Sequence, residues 1–178
     1  MTFSVNEKKD FLNTLKKRIK SIDAFLKIHY DPKYKSKKYN PIERTMASYD
    51  IDTSTFEDRS LDDVLDELDE TFTETLFRFI RIKKKTEPDV YKMANLTRQH
   101  FSKIRNDINY HPKKPTVLAL AIALKLNLDE TKDLLKTAGY ALSPSSKSDM
   151  IIRYHIENNI YNLIEINYAL YYNKEKSL

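Results

Sequence analysis

The 178-residue chain contains a single glycine, Gly139, and no cysteine. Glycine-rich phosphate loops and dinucleotide-binding fingerprints need several glycines close together, so both are excluded. A β-sandwich needs many tight turns, which are commonly built with glycine, so the composition favours helices instead. The lack of cysteine excludes disulfides, thiolate zinc sites and a cysteine nucleophile. We therefore expect an all-α protein that is long enough to bury a core of its own.

The stretch 86–106, TEPDVYKMANLTRQHFSKIRN, has the pattern of two short helices joined by a tight turn. Thr86 is a suitable cap for the first helix, and Pro88 is tolerated in its first turn because the missing N–H has no partner there. Asn95 enters the left-handed conformation at low cost, and the turn between the helices requires that conformation. Thr97 then has the side chain of a cap for the second helix.

The second helix of this pair is predicted to have one apolar and one polar face. Phe101 and Ile104 form an apolar pair at helical spacing, which indicates that they are buried. The opposite face consists of Arg98, Gln99, His100, Ser102, Lys103 and Arg105. Long polar side chains near the N-terminal end of a helix are what reading base edges in a DNA major groove requires.

This stretch resembles the helix-turn-helix of the lambda-repressor-like (Xre-like) DNA-binding family, and the resemblance covers about residues 72–138. The family is a bundle of five helices. The resemblance implies helices at Phe72–Lys84, Thr86–Ala94, Thr97 to about Asn109, Pro115–Leu126 and Leu128–Thr137. The fold expected is therefore a repressor-like five-helix bundle with helical N- and C-terminal extensions.

The same resemblance implies which residues contact DNA. By position, the family's base contacts fall on Arg98, Gln99 and Lys103. Thr97 falls on the cap of the recognition helix, and the family's loop after that helix approaches the DNA backbone. We expect phosphate contacts from Thr97, His100, Lys113 and Lys114.

Two positions depart from the family's pattern. Asn95 stands in place of the turn glycine, and Tyr91 stands where the family has a small residue, usually alanine. The ring of Tyr91 would separate the two helices unless Ala94, one turn later, makes room for it. Tyr91 is therefore expected either in the groove between the helices or turned outward against a neighbour.

The remaining bundle carries strong local signals. Val117–Leu124, VLALAIAL, is apolar on nearly every face, which predicts a central buried helix. Asn127 and Glu130 have the spacing of a capping box for the next helix. Gly139 lies just past the end of that helix, where a left-handed residue is favoured.

The chain outside the bundle is also predicted to be helical. An amphipathic helix is expected at Glu7–Ile28 and another at Ser60–Glu70. The stretch 33–39 between them is rich in lysine and tyrosine, and we interpret it as a linker or as a phosphate-binding segment. The stripe of the first helix needs a partner. The candidates are the C-terminal half of the same chain, a second copy, or another protein.

Two C-terminal helices are expected at Ser148–Glu157 and at about Leu163–Tyr172. Ile164, Tyr168 and Tyr171 lie along the second of these, and tyrosine is suited both to cores and to interfaces. We expect this extension to pack on the bundle or to form a dimer. The chain divides accordingly into residues 1–59 (basic helix and irregular segment), 60–142 (repressor-like bundle) and 143–178 (helical extension).

Charge and hydropathy narrow the choice of partner. The net charge is +5, and the acidic residues concentrate in 50–75 between two basic regions. This block pattern predicts that the acidic segment meets a basic surface, within the chain or on a partner. No signal sequence or membrane span is recognised, so we expect a cytoplasmic protein that binds no membrane.

The leading hypothesis is a DNA-binding transcriptional regulator that binds double-stranded DNA as a homodimer, or the DNA-reading or docking half of a toxin–antitoxin or phage-defence-type system. The alternative is a helical protein-interaction module that keeps the helix-turn-helix shape. A third hypothesis is a HEPN-like ribonuclease, because RNDINYH, from Arg105 to His111, resembles that family's signature of an arginine followed a few residues later by a histidine. We otherwise expect no enzyme activity, no cofactor and no metal site.

Overall fold

The computed structural model describes residues 5–30, 70–107 and 109–178, and every regular element within these ranges is an α-helix. The helices are α1 Val5–His29, α2 Phe72–Ile82, α3 Glu87–Met93, α4 Arg98–Asn106, α5 Lys114–Ala123, α6 Leu128–Thr137, α7 Lys147–Glu157 and α8 Leu163–Tyr172. The predicted all-α class is confirmed. The expected helix at Ser60–Glu70, apart from its last residue, and the stretch 33–39 lie outside the described residues. None of the helices within the described ranges is long and apolar enough to cross a bilayer.

Most of the helices start at a polar side chain that accepts a hydrogen bond from the first turn. These caps are Thr71, Thr86, Thr97, Asn127, Ser146 and Asn162. At Asn127 the Glu130 carboxylate also accepts from the cap's own N–H, so the predicted capping box is present. Each such cap stabilises its helix by about 1 kcal/mol.

Six helices end in the same C-terminal motif, in which one residue of positive φ closes the last turn. That residue is Lys84, Asn95, Lys125, Gly139, Asn159 or Lys174, with φ between 50° and 72°. In each case the next N–H donates to the carbonyl five residues earlier at 2.8–3.1 Å, which is the Schellman arrangement. The left-handed turns expected at Asn95 and Gly139 are thus observed. The three lysines adopt the same conformation although it costs a residue with a Cβ roughly 1–2 kcal/mol.

Helix α5 forms the centre of the core. Its residues Val117–Leu124 are at most 3% exposed, as the apolar run predicted. Helices α3, α6 and α8 pack against it, while α2 packs on α6 and α7 packs on both α6 and α8. The C-terminal helices therefore pack on the preceding helices, which was one of the two expectations for them.

Most of the apolar stripe of α1 is covered by the C-terminal half of the same chain, while Phe11 and Leu12 at its N-terminal end are exposed. Leu15, Ile19, Ile22 and Leu26 are all buried. α1 packs on α7, where the Phe25 ring lies 5.3 Å from Tyr154. An ion pair from Arg18 to the buried carboxylate of Glu165 joins α1 to α8. Of the three partners considered for this helix, the one observed is the C-terminal half of the same chain.

A buried histidine lies near this ion pair. His155 on α7 is 0% exposed, and its Nδ1 donates to the carbonyl of Ile151 at 2.7 Å. Its Nε2 has no hydrogen-bond partner within the described residues. Burial lowers the pKa of His155 below its ordinary value, although the hydrogen bond to Ile151 and the Glu165 carboxylate act in the opposite direction. The imidazole is therefore held neutral.

Helix α2 is attached to the start of α6 by an ion pair. Both carboxylate oxygens of Glu130 lie 2.8 Å from Lys83 Nζ. Burial alone would raise the pKa of Glu130, but the hydrogen bonds from Lys83 and from the N–H of Asn127 outweigh it and hold the pKa below its ordinary value. The Glu130 carboxylate thus both caps α6, by accepting from the Asn127 N–H, and joins α2 to α6, by pairing with Lys83.

Candidate nucleic-acid interface

Helices α3 and α4 are joined by a turn of four residues, 94–97, which is held by backbone and side-chain hydrogen bonds. Asn95 adopts φ 55°, and the N–H of Leu96 returns to the carbonyl of Tyr91 at 2.8 Å. Leu96 is half-buried against the core. Thr97 Oγ1 then accepts from the N–H of His100 at 3.1 Å and starts α4. These hydrogen bonds lead the chain from α3 into α4 and fix Thr97 as the N-cap of α4.

The inner face of α4 is anchored in the core. Phe101 is 2% exposed and Ile104 is 0% exposed, as their spacing predicted. The buried hydroxyl of Thr73 on α2 donates to the carbonyl of Ile104 at 3.1 Å, which satisfies one of the free carbonyls at the end of the helix. Because both apolar residues are fixed, the opposite face of α4 has a defined orientation toward solvent.

The outer face carries the residues that the resemblance marked for base contacts. Arg98, Gln99 and Lys103 are all exposed. Within the described part of the chain, Arg98 and Gln99 have no hydrogen-bond or ion-pair partner in the structure. Lys103 Nζ lies 5.5 Å from the centre of the Tyr110 ring, a cation–π distance. Their contact with DNA remains a prediction.

Tyr110 joins the loop after α4 to the helix itself. Its hydroxyl lies 2.9 Å from Nε2 of the half-buried His100, and its ring faces Lys103. His100 was expected to contact phosphate, and in the free protein its side chain is engaged by this tyrosine. Tyr110 could not be singled out from the sequence, because its role depends on a contact across ten residues.

Helix α4 ends earlier than expected, at Asn106 instead of about Asn109. Asp107 takes an extended conformation, and its carboxylate accepts from the N–H of Asn109 at 3.1 Å. The carbonyl of Asp107 accepts from Tyr110 N–H at 3.0 Å. A local turn thus replaces the last helical turn, because the aspartate side chain offers the backbone an alternative partner.

The two lysines expected to bind phosphate have different surroundings. Lys113 is exposed just before α5. Lys114 Nζ lies 2.5 Å from the buried carboxylate of Asp149 on α7, which also accepts from the N–H of Ser143 at 2.8 Å. Lys113 is therefore available to a ligand, whereas the ammonium of Lys114 joins α5 to α7.

Tyr91 occupies the first of its two expected positions. It is half-buried with its ring centre 5.8 Å from that of Phe101, and Ala94 is 2% exposed. An open groove of about 320 Å³ remains between α3 and α4. Its lining includes Pro88, Tyr91, Arg98 and Ser102.

The residues of the ribonuclease-like pattern are not held together on one helix. Arg105 is in α4 and pairs with Glu87 of α3 at 3.1 Å, which bridges the groove. His111 is exposed in the loop beyond Asn106. The arginine thus has a structural partner in the helix pair, and the histidine has a separate position on the surface.

Comparisons of the chain with family models, with curated proteins and with solved structures found no match.

Proposed function

We propose that the protein binds double-stranded DNA through α4 as a helix-turn-helix regulator, with α2–α6 as a repressor-like five-helix bundle. The proposal rests on α4, which has a buried apolar side and an exposed polar side. The inner side of α4 is fixed by the buried Phe101 and Ile104. The outer side presents Arg98 and Gln99 in the first turn, exposed and without partners in the described residues.

The chemistry of these side chains fits the edges of bases. An arginine can donate two hydrogen bonds to O6 and N7 of guanine, and a glutamine can bond N6 and N7 of adenine. Because both residues lie in the first turn, they would enter a major groove at the N-terminal end of the helix, as recognition helices do. Lys103, one turn later, would extend the contact along the groove.

Contacts to the DNA backbone would set the position of the helix. The start of α4 carries free N–H groups and the positive end of the helix dipole, which suit a phosphate near Thr97. The exposed Lys113 would neutralise a second phosphate. His100 could contribute after exchanging its bond with Tyr110 for one to the DNA.

The bundle assignment is supported by element order and by packing. Helices α2 to α6 follow one another in the order that the resemblance implies, with α5 central, although α4 ends at Asn106 instead of about Asn109. Tyr91, which departs from the family's pattern, is accommodated against Phe101.

The test is a fluorescence anisotropy titration with labelled DNA from upstream of the protein's own reading frame, at several salt concentrations. Affinity should fall steeply with salt, by a factor of about 10³ or more from 50 to 200 mM if several phosphates are contacted. Arg98→Ala should weaken binding by about 1–3 kcal/mol. The matched control is Arg81→Ala, which removes an exposed arginine from the last turn of α2 and should leave the affinity within about twofold.

Equal affinity of the Arg98→Ala variant, the Arg81→Ala control and the unaltered chain would refute the assignment of α4 as the reading helix. Absence of DNA binding at low salt would refute DNA binding itself. That second result would favour the protein-docking alternative for the same surface.

A further inference from the structure

Helix α8 has one buried and one uncovered face. Ile166, Ala169 and Leu170 are at most 3% exposed and pack into the core. The other face consists of Ile164, Tyr168, Tyr171 and Tyr172, which are 73%, 37%, 76% and 54% exposed. These positions recur at steps of three and four, so they form one apolar and aromatic stripe along the helix. We call this stripe the α8 face.

The α8 face is distinguished from the other apolar stripe at the ends of the chain. Leu15, Ile19, Ile22 and Leu26 of the α1 stripe are buried against the C-terminal helices, and only Phe11 and Leu12 at its N-terminal end stay exposed, at 40% and 48%. Both stripes were candidates for holding two copies together, and among the described residues intramolecular packing covers most of the first stripe but leaves the α8 face exposed. The α8 face is left without a cover in the described structure, and apolar patches of this size are often functional.

The α8 face also carries no charge, in a chain in which 32% of the residues are charged. The ionisable carboxylate of α8, Glu165, is buried in its pair with Arg18. The partly or fully exposed residues are isoleucine, leucine, asparagine and tyrosine. A face without charge lacks the electrostatic attraction that would steer it to DNA or to an acidic protein.

The same composition is complementary to itself. In a two-fold symmetric interface each patch meets an identical patch, so a charged patch would be repelled. A tyrosine hydroxyl and an asparagine amide each both donate and accept, so identical copies can hydrogen-bond to one another. The apolar parts of the α8 face can pack without leaving a charge unpaired.

We propose that the α8 face is the interface with a second copy of this chain, with α8 of one protomer packed on α8 of its partner about a two-fold axis. The role of this dimer rests on the proposed function, because two copies would present two α4 helices to two DNA half-sites. One recognition helix alone buries too little surface for tight binding.

The size of the α8 face sets the expected strength. At 150–250 Å² per aromatic side chain, the exposed parts of the three tyrosines amount to roughly 330 Å² per copy, and Ile164 brings the α8 face to roughly 450 Å². A standard stable interface buries about 800 Å² per partner. The dimer therefore belongs to the weak, transient class, with a Kd expected in the micromolar range, and DNA carrying two half-sites would strengthen it by holding the copies together.

The test is sedimentation velocity of the full chain without DNA over a concentration series. The unaltered chain should shift toward twice the monomer mass as concentration rises. The double variant Ile164→Glu, Tyr171→Glu should remain monomeric, because four carboxylates would meet across the axis. The matched control is Ile28→Glu, which alters a 78% exposed isoleucine at the end of α1 and should sediment like the unaltered chain.

The outcomes separate this inference from the proposed function. A monomer at the highest concentration, or a dimer that the double variant does not weaken, would overturn the inference whether or not DNA binds. A dimer that depends on the α8 face would support it even if DNA binding failed. Arg98→Ala should leave the dimer unchanged while weakening DNA binding. Equal thermal unfolding of the double variant and the Ile28→Glu control would show that the loss of dimer is not a loss of fold.

Discussion

Lys113 and Lys114 are neighbours in the sequence with different surroundings, so replacing each by methionine gives a controlled experiment. The change removes one positive charge in either case and keeps a long side chain. Lys113 is exposed, and its loss should alter the free energy of unfolding by less than about 0.5 kcal/mol. Lys114 is paired with the carboxylate of Asp149, whose side chain is 4% exposed.

The magnitude for Lys114→Met follows from what remains around Asp149. Removing one partner of a buried ion pair costs about 3–5 kcal/mol because the other charge stays buried without compensation. Here the lysine side chain is 27% exposed, so solvent already screens part of the attraction. The N–H of Ser143 also continues to donate to the carboxylate. We therefore expect a loss of about 2 kcal/mol, somewhat below that range.

The assay is urea denaturation followed by circular dichroism. With a slope near 2 kcal/mol/M, the midpoint of Lys114→Met should fall by about 1 M and that of Lys113→Met should stay unchanged. Adding Asp149→Asn to Lys114→Met should recover part of the loss, because the unpaired charge is then removed as well. In the DNA titration, Lys113→Met should reduce the salt slope by about 0.9, while Lys114→Met should not. Equal midpoints for the two single variants would refute the structural role assigned to Lys114.

Three further predictions follow from other positions. Tyr91→Ala should lower the free energy of unfolding by about 2 kcal/mol, because a half-buried ring that packs on Phe101 is lost. Tyr91→Phe, which keeps the ring, is the control. A change below about 0.5 kcal/mol on truncation to alanine would contradict the packing. Lys125→Gly should raise that free energy by about 0.5–1 kcal/mol, since glycine adopts φ 53° without strain, whereas Lys20→Gly within α1 should lower it by about 1 kcal/mol. Burial holds the pKa of His155 below 6.5, so the folded protein binds fewer protons than the unfolded chain, and stability should fall as pH drops below about 6.5. His155→Phe should flatten that pH dependence in urea midpoints measured between pH 7.5 and 5.5, and an unchanged profile would refute its origin in His155.

Local signals were sufficient to predict most of the described helices. The cap at Thr97, the capping box at Asn127 and the glycine after α6 each depend on residues within one or two turns, so they can be read directly from the sequence. The apolar run of α5 likewise predicts its burial because no face of it is polar. The expected bounds of α8 agree with the observed ones.

Contacts between distant residues could not be predicted in the same way. The stripe of α1 indicated that a partner was needed, but its periodicity does not say which surface covers it. The pairing of Lys114 with Asp149 spans 35 residues, and neither residue type nor spacing distinguishes Lys114 from Lys113. The left-handed lysine at position 125 also has no signal of its own, because lysine has no preference for that conformation, which accompanies the hydrogen bond from the Leu126 N–H to the carbonyl of Ala121. At the candidate site, the exposure of Arg98 followed from helix periodicity.

The ion pair between Arg18 and Glu165 has a consequence for the order of events during synthesis. The two residues are 147 positions apart, and a ribosome adds about 5–20 residues per second. Helix α1 therefore leaves the ribosome roughly 7 to 30 s before the helix that supplies its partner carboxylate. Throughout that interval its apolar stripe has no native surface to cover it, so nascent chains are expected to be most prone to chaperone capture or to association with one another before α7 and α8 emerge.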